Sequence, residues 1–260
     1  MIMDCHTHAA PLRGNELLEE LERVGVTHAI VMVIPSAMTL TEDGDYTLHR
    51  NETALERLAD DNRQLGIWCR HVGPTLLPFA WLDHRMKCVT SLFEDLVARY
   101  HFRGLKIHQV FNGPADHRYF ELVGKAVELD VPIMIHTGFR APAHAQNIGL
   151  LAARFPEGKF LCAHLLEEWN LNTRADYRRL ADNHDNVSFE CSYVRHPRRL
   201  GEFVRDIGAH RILFGSDFPF GARDIAWDLT KVRWAGIGDA AKEKILWRNA
   251  AALFGLSERV

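Results

Sequence analysis

Two histidines set two residues apart open the chain: Met1-Ile2-Met3-Asp4-Cys5-His6-Thr7-His8 runs an apolar start straight into Asp-x-His-x-His. Side chains alternate between faces along a β-strand, so Asp4, His6 and His8 are expected to point the same way. Imidazoles converging on one point suit zinc and its borderline relatives, which favour nitrogen donors. Taken alone, the motif reads equally well as two solvated histidines on an N-terminal strand, because His-x-His is short and common. Other residues decide between the two readings. His108, His136 and His164 fall at the carboxyl ends of three later strand patterns, and Asp217 falls two residues beyond a fourth. Each has a plain alternative: a buried neutral histidine bonded to a carbonyl, or, for Asp217, a helix N-cap ahead of Phe218-Pro219. Scattered histidines would not select strand ends so consistently, and together these residues read as a site for a divalent ion.

What must position them is a repeated alternation of strands and helices. Asn15 is placed to cap a helix over residues 16–24 that Gly25 ends. Thr27 to Ile34 is an almost unbroken β-rich apolar run, as expected of a strand buried on both faces. A polar loop over 36–45 leads into a helical pattern through Leu48, Leu55 and Leu58, and Leu65 to Val72 is expected to be the third strand. From there helices 90–100, 117–129, 147–155, 174–184 and 197–207 precede strands 103–109, 131–138, 159–165, 187–194 and 211–215. Residues 223–256 hold two helical patterns parted by Gly236 to Gly238, one expected to close a ring and the other to cover its end. Eight units in 260 residues average about 32 each, near the minimum βαβ size. The pattern predicts an α/β fold, a single (β/α)8 TIM barrel over residues 1–260 with an extra C-terminal helix. An open doubly wound sheet would show a glycine-rich phosphate turn after its first strand, where this chain has His-Thr-His-Ala-Ala.

Composition narrows the class further. With 31 Lys and Arg against 34 Asp and Glu, the formal charge of −3 provides no field for nucleic acid or an anionic membrane. Asp4 and His6 interrupt any apolar leader, and no run approaches a membrane span. The expectation is a cytoplasmic protein acting on a small, anionic molecule, with no nucleic acid or membrane partner and with a homo-oligomer left open. Cys5, Cys69, Cys88, Cys162 and Cys191 form no C-x-x-C pair and are read as reduced thiols. Strand alternation puts Cys162 on the face of His164, one layer deeper in the barrel.

The chain resembles the amidohydrolase superfamily, and within it the amidohydrolase-related group that includes aminocarboxymuconate semialdehyde decarboxylase. The resemblance rests on Asp4-x-His6-x-His8, Gly104-Leu105-Lys106-Ile107-His108, Ile135-His136-Thr137-Gly138, Ala163-His164, Phe214-Gly215-Ser216-Asp217-x-Pro219 and Ile245-Leu246-x-x-Asn249-Ala250. It implies that His6, His8, His136 and Asp217 bind one divalent ion, zinc first and manganese second, with His164 beside it. Such a donor set leaves the ion a net charge near +1 and could bring the pKa of bound water from about 15.7 towards about 7. Asp217 would then move the proton, and His164 would donate a hydrogen bond to the carbonyl under attack. Lys106 and His108 share a strand face. In binuclear members of the superfamily a lysine at this strand bridges two ions, but the resemblance here is to the mononuclear group. Lys106 is therefore expected deeper, in a hydrogen-bonded role, and His108 at the mouth against substrate.

The function expected from these residues is hydrolysis of an amide, ester or lactone, with a metal-dependent decarboxylase of an aromatic or muconate-like acid as the alternative. Compactness tilts the reading towards hydrolysis, since decarboxylating relatives tend to be longer. A non-catalytic metal-binding barrel is disfavoured because Asp217 and His164 supply acid-base partners that a structural site does not need. Loop arginines suggest a substrate carboxylate: Arg13, Arg70, Arg140, Arg195 and Arg223, with Phe111, Phe139, Trp169, Tyr193 and Phe218 as flanking rings. Of these, Arg140 and Arg195, with Lys106 and His108, are the expected substrate-binding residues.

Overall fold

The computed structural model describes residues 1–10, 14–40, 46–49, 51–73, 75–108, 117–137, 144–165, 172–221 and 224–257. In chain order the elements are β1 (Met3–Ala9), α1 (Gly14–Val24), β2 (His28–Val33), β3 (Met38–Leu40), β4 (Tyr46–Leu48), α2 (Glu52–Val72), β5 (Leu76–Trp81), α3 (Val89–Tyr100), β6 (Gly104–Ile107) and α4 (Phe120–Glu128). There follow β7 (Ile133–His136), α5 (Ala145–Arg154), β8 (Phe160–Ala163), α6 (Arg174–Asn183), β9 (Val187–Glu190), α7 (Pro197–Ile207), β10 (Ile212–Leu213), α8 (Ile225–Arg233), α9 (Asp239–Glu243) and α10 (Asn249–Phe254).

Eight strands pair in parallel in the order β1-β2-β5-β6-β7-β8-β9-β10. The chain beyond β10 then returns to β1: Cys5 N donates to Phe214 O at 2.8 Å, Asp217 N to His6 O at 2.7 Å and His8 N to Phe218 O at 2.7 Å. These bonds close the ring into the (β/α)8 barrel. Closure also places Asp217 one hydrogen bond from the strand that carries His6 and His8.

Two apolar layers hold the barrel. Outward-facing residues such as Val31, Leu105, Ile107, Ile133, Ile135 and Phe189 pack under the helices. Inward-facing Met3, Cys5, Ile30, Met32, Phe79, Met134, Leu161 and Leu213 fill the lower interior, which Trp247, Ala250 and Phe254 seal from below. Each such large side chain contributes roughly 1.5–3 kcal/mol by leaving water. α8 packs between α1 and α7 to complete the outer ring, and α10 provides the extra C-terminal cover. Among the described residues no helix is long and apolar enough to cross a membrane.

Three expectations are corrected. Residues 65–72 are the second half of α2, with Leu58, Leu65 and Cys69 buried at helical spacing. The third barrel strand is instead Leu76–Trp81, where Pro78 breaks the pattern expected of a central strand. Leu48 pairs with Met38 in a β3–β4 hairpin outside the ring, and the helix begins later, where Asn51 Oδ1 caps Ala54 N at 2.9 Å. Finally, Asp4 does not share a face with the two histidines. Between Asp4 and Thr7, β1 spends one residue more than β2 does between Ala29 and Val31. This bulge turns Cys5 and His6, adjacent in sequence, to the same interior. Asp4 caps the bulge, its Oδ1 accepting from His6 N at 3.1 Å and Ser216 N at 3.0 Å.

Candidate metal and acid-base site

The buried polar side chains of the site enter the interior above the apolar fill, at the carboxyl ends of the strands, where barrels build their sites. Lys106 points inward from β6 between outward-facing Leu105 and Ile107, and His108 follows on the same face. His136 ends β7. His164 follows β8 in a left-handed conformation, φ +67°. That backbone breaks the strand alternation, so His164 turns inward directly after inward-facing Ala163, whereas Cys162 packs outward under the helices. The expectation that Cys162 lies beneath His164 is thereby corrected. The five cysteines are free thiols.

Asp217, also left-handed at φ +55°, offers Oδ1 to a point shared by His6 and His8, whose Nε2 atoms each lie 3.1 Å from it. His164 stacks on His6 with centroids 4.7 Å apart, and its Nε2 is 3.1 Å from His136 Nδ1. Thr137 Oγ1 donates to the carbonyls of Ala163 and His164 at 2.7 and 2.8 Å, and Tyr177 hydroxyl to that of His164 at 3.2 Å. These bonds hold the left-handed turn. The opposite wall is built from rings: His136 stacks on His108 at 4.1 Å, and His108 on Trp81 at 4.9 Å. Asn62 fixes Trp81 by pairing with its main chain at 3.0 Å in both directions.

Burial governs the protonation states. It carries His6 and His164 well below the usual imidazole range and His136 down to about 3, aided in each case by the neighbouring Lys106 charge. Burial also brings Lys106 down to about 8 and pushes Asp4 up to about 7.

The donor set fits a divalent cation. The Lys106 ammonium, which can only donate, lies 3.1 Å from His6 Nε2, so that nitrogen presents a lone pair. His8 Nδ1 faces the Val33 carbonyl at 3.4 Å, which likewise leaves the lone pair on Nε2. Both lone pairs then meet a carboxylate oxygen at 3.1 Å, an arrangement that favours positive charge among them, of which the Lys106 ammonium supplies a part from the His6 side. Suitable ligand atoms of His6, His164 and Asp217 lie within 4.8 Å of one another.

Of the expected site residues, the structure brings together His6, His8, His136, His164, Asp217, Lys106 and His108. Lys106 is buried, with Nζ 3.1 Å from His6 Nε2. Arg195 is exposed two residues beyond Tyr193, whose ring meets His164 edge-on at 4.7 Å. Arg13, Arg140 and Arg223, with Phe111, Phe139 and Trp169, lie outside the described residues. Arg70 is misplaced by the sequence reading: it lines a cavity with Leu77, Pro78 and Arg103 at the opposite, amino-terminal end of the strands. Its assignment followed from taking residues 65–72 as a strand.

One residue escaped the sequence reading altogether. Glu190 ends β9, fully buried, with Oε2 at 2.8 Å from His6 Nδ1 and 3.3 Å from His164 N. Ser192 contributes both its N–H and its hydroxyl, the latter at 3.0 Å. Burial pushes the Glu190 carboxyl up to about 8. Gly215 leaves room for it, since a Cβ there would come within 2.3 Å of Oε1. The signal was present in Val-Ser-Phe-Glu, an alternating strand that places a carboxylate on the inward face at its carboxyl end.

No curated protein sequence matches the chain significantly. Solved structures match it nearly end to end. The 2,6-dihydroxybenzoate decarboxylase from Rhizobium is 19% identical, with a TM-score of 0.72 and 98% of each chain covered. The 5-carboxyvanillate decarboxylase from Sphingomonas paucimobilis is 14% identical, with a TM-score of 0.74, covering 98% of this chain and 99% of that one. The dihydroxybenzoic acid decarboxylase from Polaromonas sp. JS666, solved with bound manganese and 2-nitroresorcinol, is 18% identical, with a TM-score of 0.70 and coverage of 98% and 97%. These likenesses overturn the expectation of amide, ester or lactone hydrolysis. The preference for it rested on compactness, and a chain of this compactness superposes on decarboxylases over nearly its whole length. The amidohydrolase family model matches residues 3–256, and on that match the chain belongs to the amidohydrolase family.

Proposed function

We propose that the chain is a metal-dependent decarboxylase of a small aromatic carboxylic acid. The observation that supports this most directly is the Asp217 carboxylate, 3.1 Å from two Nε2 lone pairs in a buried pocket at the barrel mouth. His6, His8, His136 and Asp217 would hold one divalent ion, manganese as in the Polaromonas enzyme or zinc as the donor types allow. When bound, that ion would supply Lewis acidity, gripping substrate oxygens and drawing electron density from the ring.

The chain's own groups do the rest. Asp217 carries a proton to the ring carbon that bears the carboxylate. The C–C bond to that carboxylate breaks, its electron pair restores the aromatic ring, and carbon dioxide leaves. His164, kept neutral by burial, is the second group able to hold or return a proton. The half-buried rings of His136, Tyr193, Phe218 and Phe220 suit a flat substrate. Among the expected contacts, His108, Lys106, Arg140 and Arg195 remain the candidates for orienting it.

The test is a panel of hydroxylated benzoic acids with manganese or zinc at fixed loading, followed by carbon dioxide release. Turnover abolished by chelator and restored by the metal is expected. Release from none of the acids under full metal loading would overturn the reading.

A further inference from the structure

We propose that Glu190 and Ser192 are positioning residues that set the imidazole tautomers of His6 and His164 together, so that one carboxylate turns two Nε2 lone pairs into the same pocket. The proposal rests on the reading that His6 holds an ion and His164 works beside it.

The argument counts donors. Two main-chain N–H groups, which can only donate, end on the two oxygens of Glu190: Ser192 N on Oε1 and His164 N on Oε2. With Glu190 ionised, as above about pH 8, both oxygens are acceptors. Oε2 lies 2.8 Å from His6 Nδ1, which places the proton of His6 on Nδ1 and the lone pair on Nε2. The Lys106 ammonium, 3.1 Å from that Nε2 and without acceptor capacity, requires the same tautomer from the opposite side. The second arm runs through Ser192. Its hydroxyl donates to Oε2 at 3.0 Å and is left to accept from His164 Nδ1 at 2.6 Å. His164 therefore also carries its proton on Nδ1 and presents Nε2 to His136 and the pocket.

The relay is held from behind. Lys231, buried on α8, donates to the carbonyls of Cys191 and Ser192 at 2.7 Å each and to Asp228, which fixes the main chain that carries the hydroxyl. The consequence reverses the role expected of His164 from sequence. With Nε2 as a lone pair, His164 rests as a proton acceptor or an additional ligand, and donates to a substrate oxygen only after taking up a proton. Carboxylates that orient metal-binding imidazoles recur among metal sites; here one carboxylate serves a ligand and an acid-base group at once.

The test compares Ser192→Ala, Ser192→Thr and Glu190→Gln with the wild type. Histidine tautomers are read by nitrogen NMR on metal-free protein at pH 9, with signals assigned from His6→Asn and His164→Asn. Metal affinity is read by competition with a chelator. Ser192→Ala is expected to release His164 from the Nδ1–H form while leaving His6 in it, with metal affinity within about threefold and kcat lowered. Ser192→Thr, which keeps the hydroxyl, should restore both signals. Glu190→Gln should disturb both histidines and weaken metal binding about 10- to 100-fold, the usual range for such partners. His164 unchanged in Ser192→Ala, or metal affinity unchanged in Glu190→Gln, would overturn the proposal. The tautomer signals need neither metal nor substrate, so the expected spectra from an enzyme that decarboxylates nothing would remove the functional reading and leave this one standing.

Discussion

The two walls of the mouth are built by different physics. On the side of β1, β8, β9 and β10, each functional atom is aimed by hydrogen bonds: Glu190, Ser192, Thr137 and Tyr177 hold His6 and His164. On the side of β5, β6 and β7, His136 stacks on His108, which lies on Trp81, and only its Nδ1 reaches across to His164 at 3.1 Å. Hydrogen bonds choose which nitrogen carries a proton, whereas a stack fixes only the plane of a ring. A site that must present lone pairs in one direction needs the first kind of support, and a wall facing the flat substrate proposed above would be served by the second.

Breaking the stacked wall should cost folding before chemistry. Trp81→Ala is expected to destabilise the protein by about 3–5 kcal/mol, as for other large-to-small changes at buried aromatics, measured by urea unfolding. A loss under about 1 kcal/mol would mean that the stack carries little.

Breaking the hydrogen-bonded wall should do the reverse. Asp217→Asn keeps an oxygen for the ion but cannot carry a proton, so kcat should fall about 10²-fold or more while metal content persists; His164→Asn should behave likewise. Either variant with wild-type kcat would remove that residue from the proton-moving role.

A gentler perturbation uses pH on metal-free protein. The folded Glu190 value, about 8, lies above its ordinary value of 4.5, so the native state keeps the proton longer than the unfolded chain. Stability attributable to Glu190 is present below about 4.5 and is lost as pH rises towards about 8, by up to about 1.4 kcal/mol per pH unit. The stability difference between wild type and Glu190→Gln should show this slope, and bound metal should flatten it. A flat difference without metal would show that Glu190 is less burdened by burial than its surroundings indicate.

The smallest effect is expected from His108→Phe, which preserves the ring and roughly its volume. It should cost under about 1.5 kcal/mol and leave metal affinity unchanged, with any penalty confined to KM. A large loss of metal would give the His108 nitrogens a part in holding the ion.

The contrast between the walls also explains what could be read from sequence. The eightfold alternation was legible because apolar periodicity reports burial directly, and His6, His8, His136, His164 and Asp217 stood out as ligand types at strand ends. The strand through Pro78 was hidden because proline argues against a central strand, and residues 65–72 imitated one because a short apolar run carries no clear period. The bulge at Asp4–Thr7 is a property of pairing with β2, and the inward turn of His164 depends on one left-handed residue. Neither is encoded in spacing. Glu190 was overlooked because a single acidic residue in a strand draws no attention until its partners, distant in sequence, are known.

The seal at the bottom of the barrel has a kinetic consequence. Trp247, Ala250 and Phe254 close the lower interior beneath Met3, Phe79 and Leu213, so among the described residues the site faces the carboxyl-terminal mouth and not the base. On the proposed function, ion, substrate and product would then pass the same mouth, which would make their traffic sequential. The ion would arrive first, a bound acid would then stand between it and solvent, and each product would depart before the next molecule entered. Stripping the metal with chelator should accordingly slow as a competitive aromatic acid approaches saturation, so that the substrate acts as the stopper of its own reaction vessel.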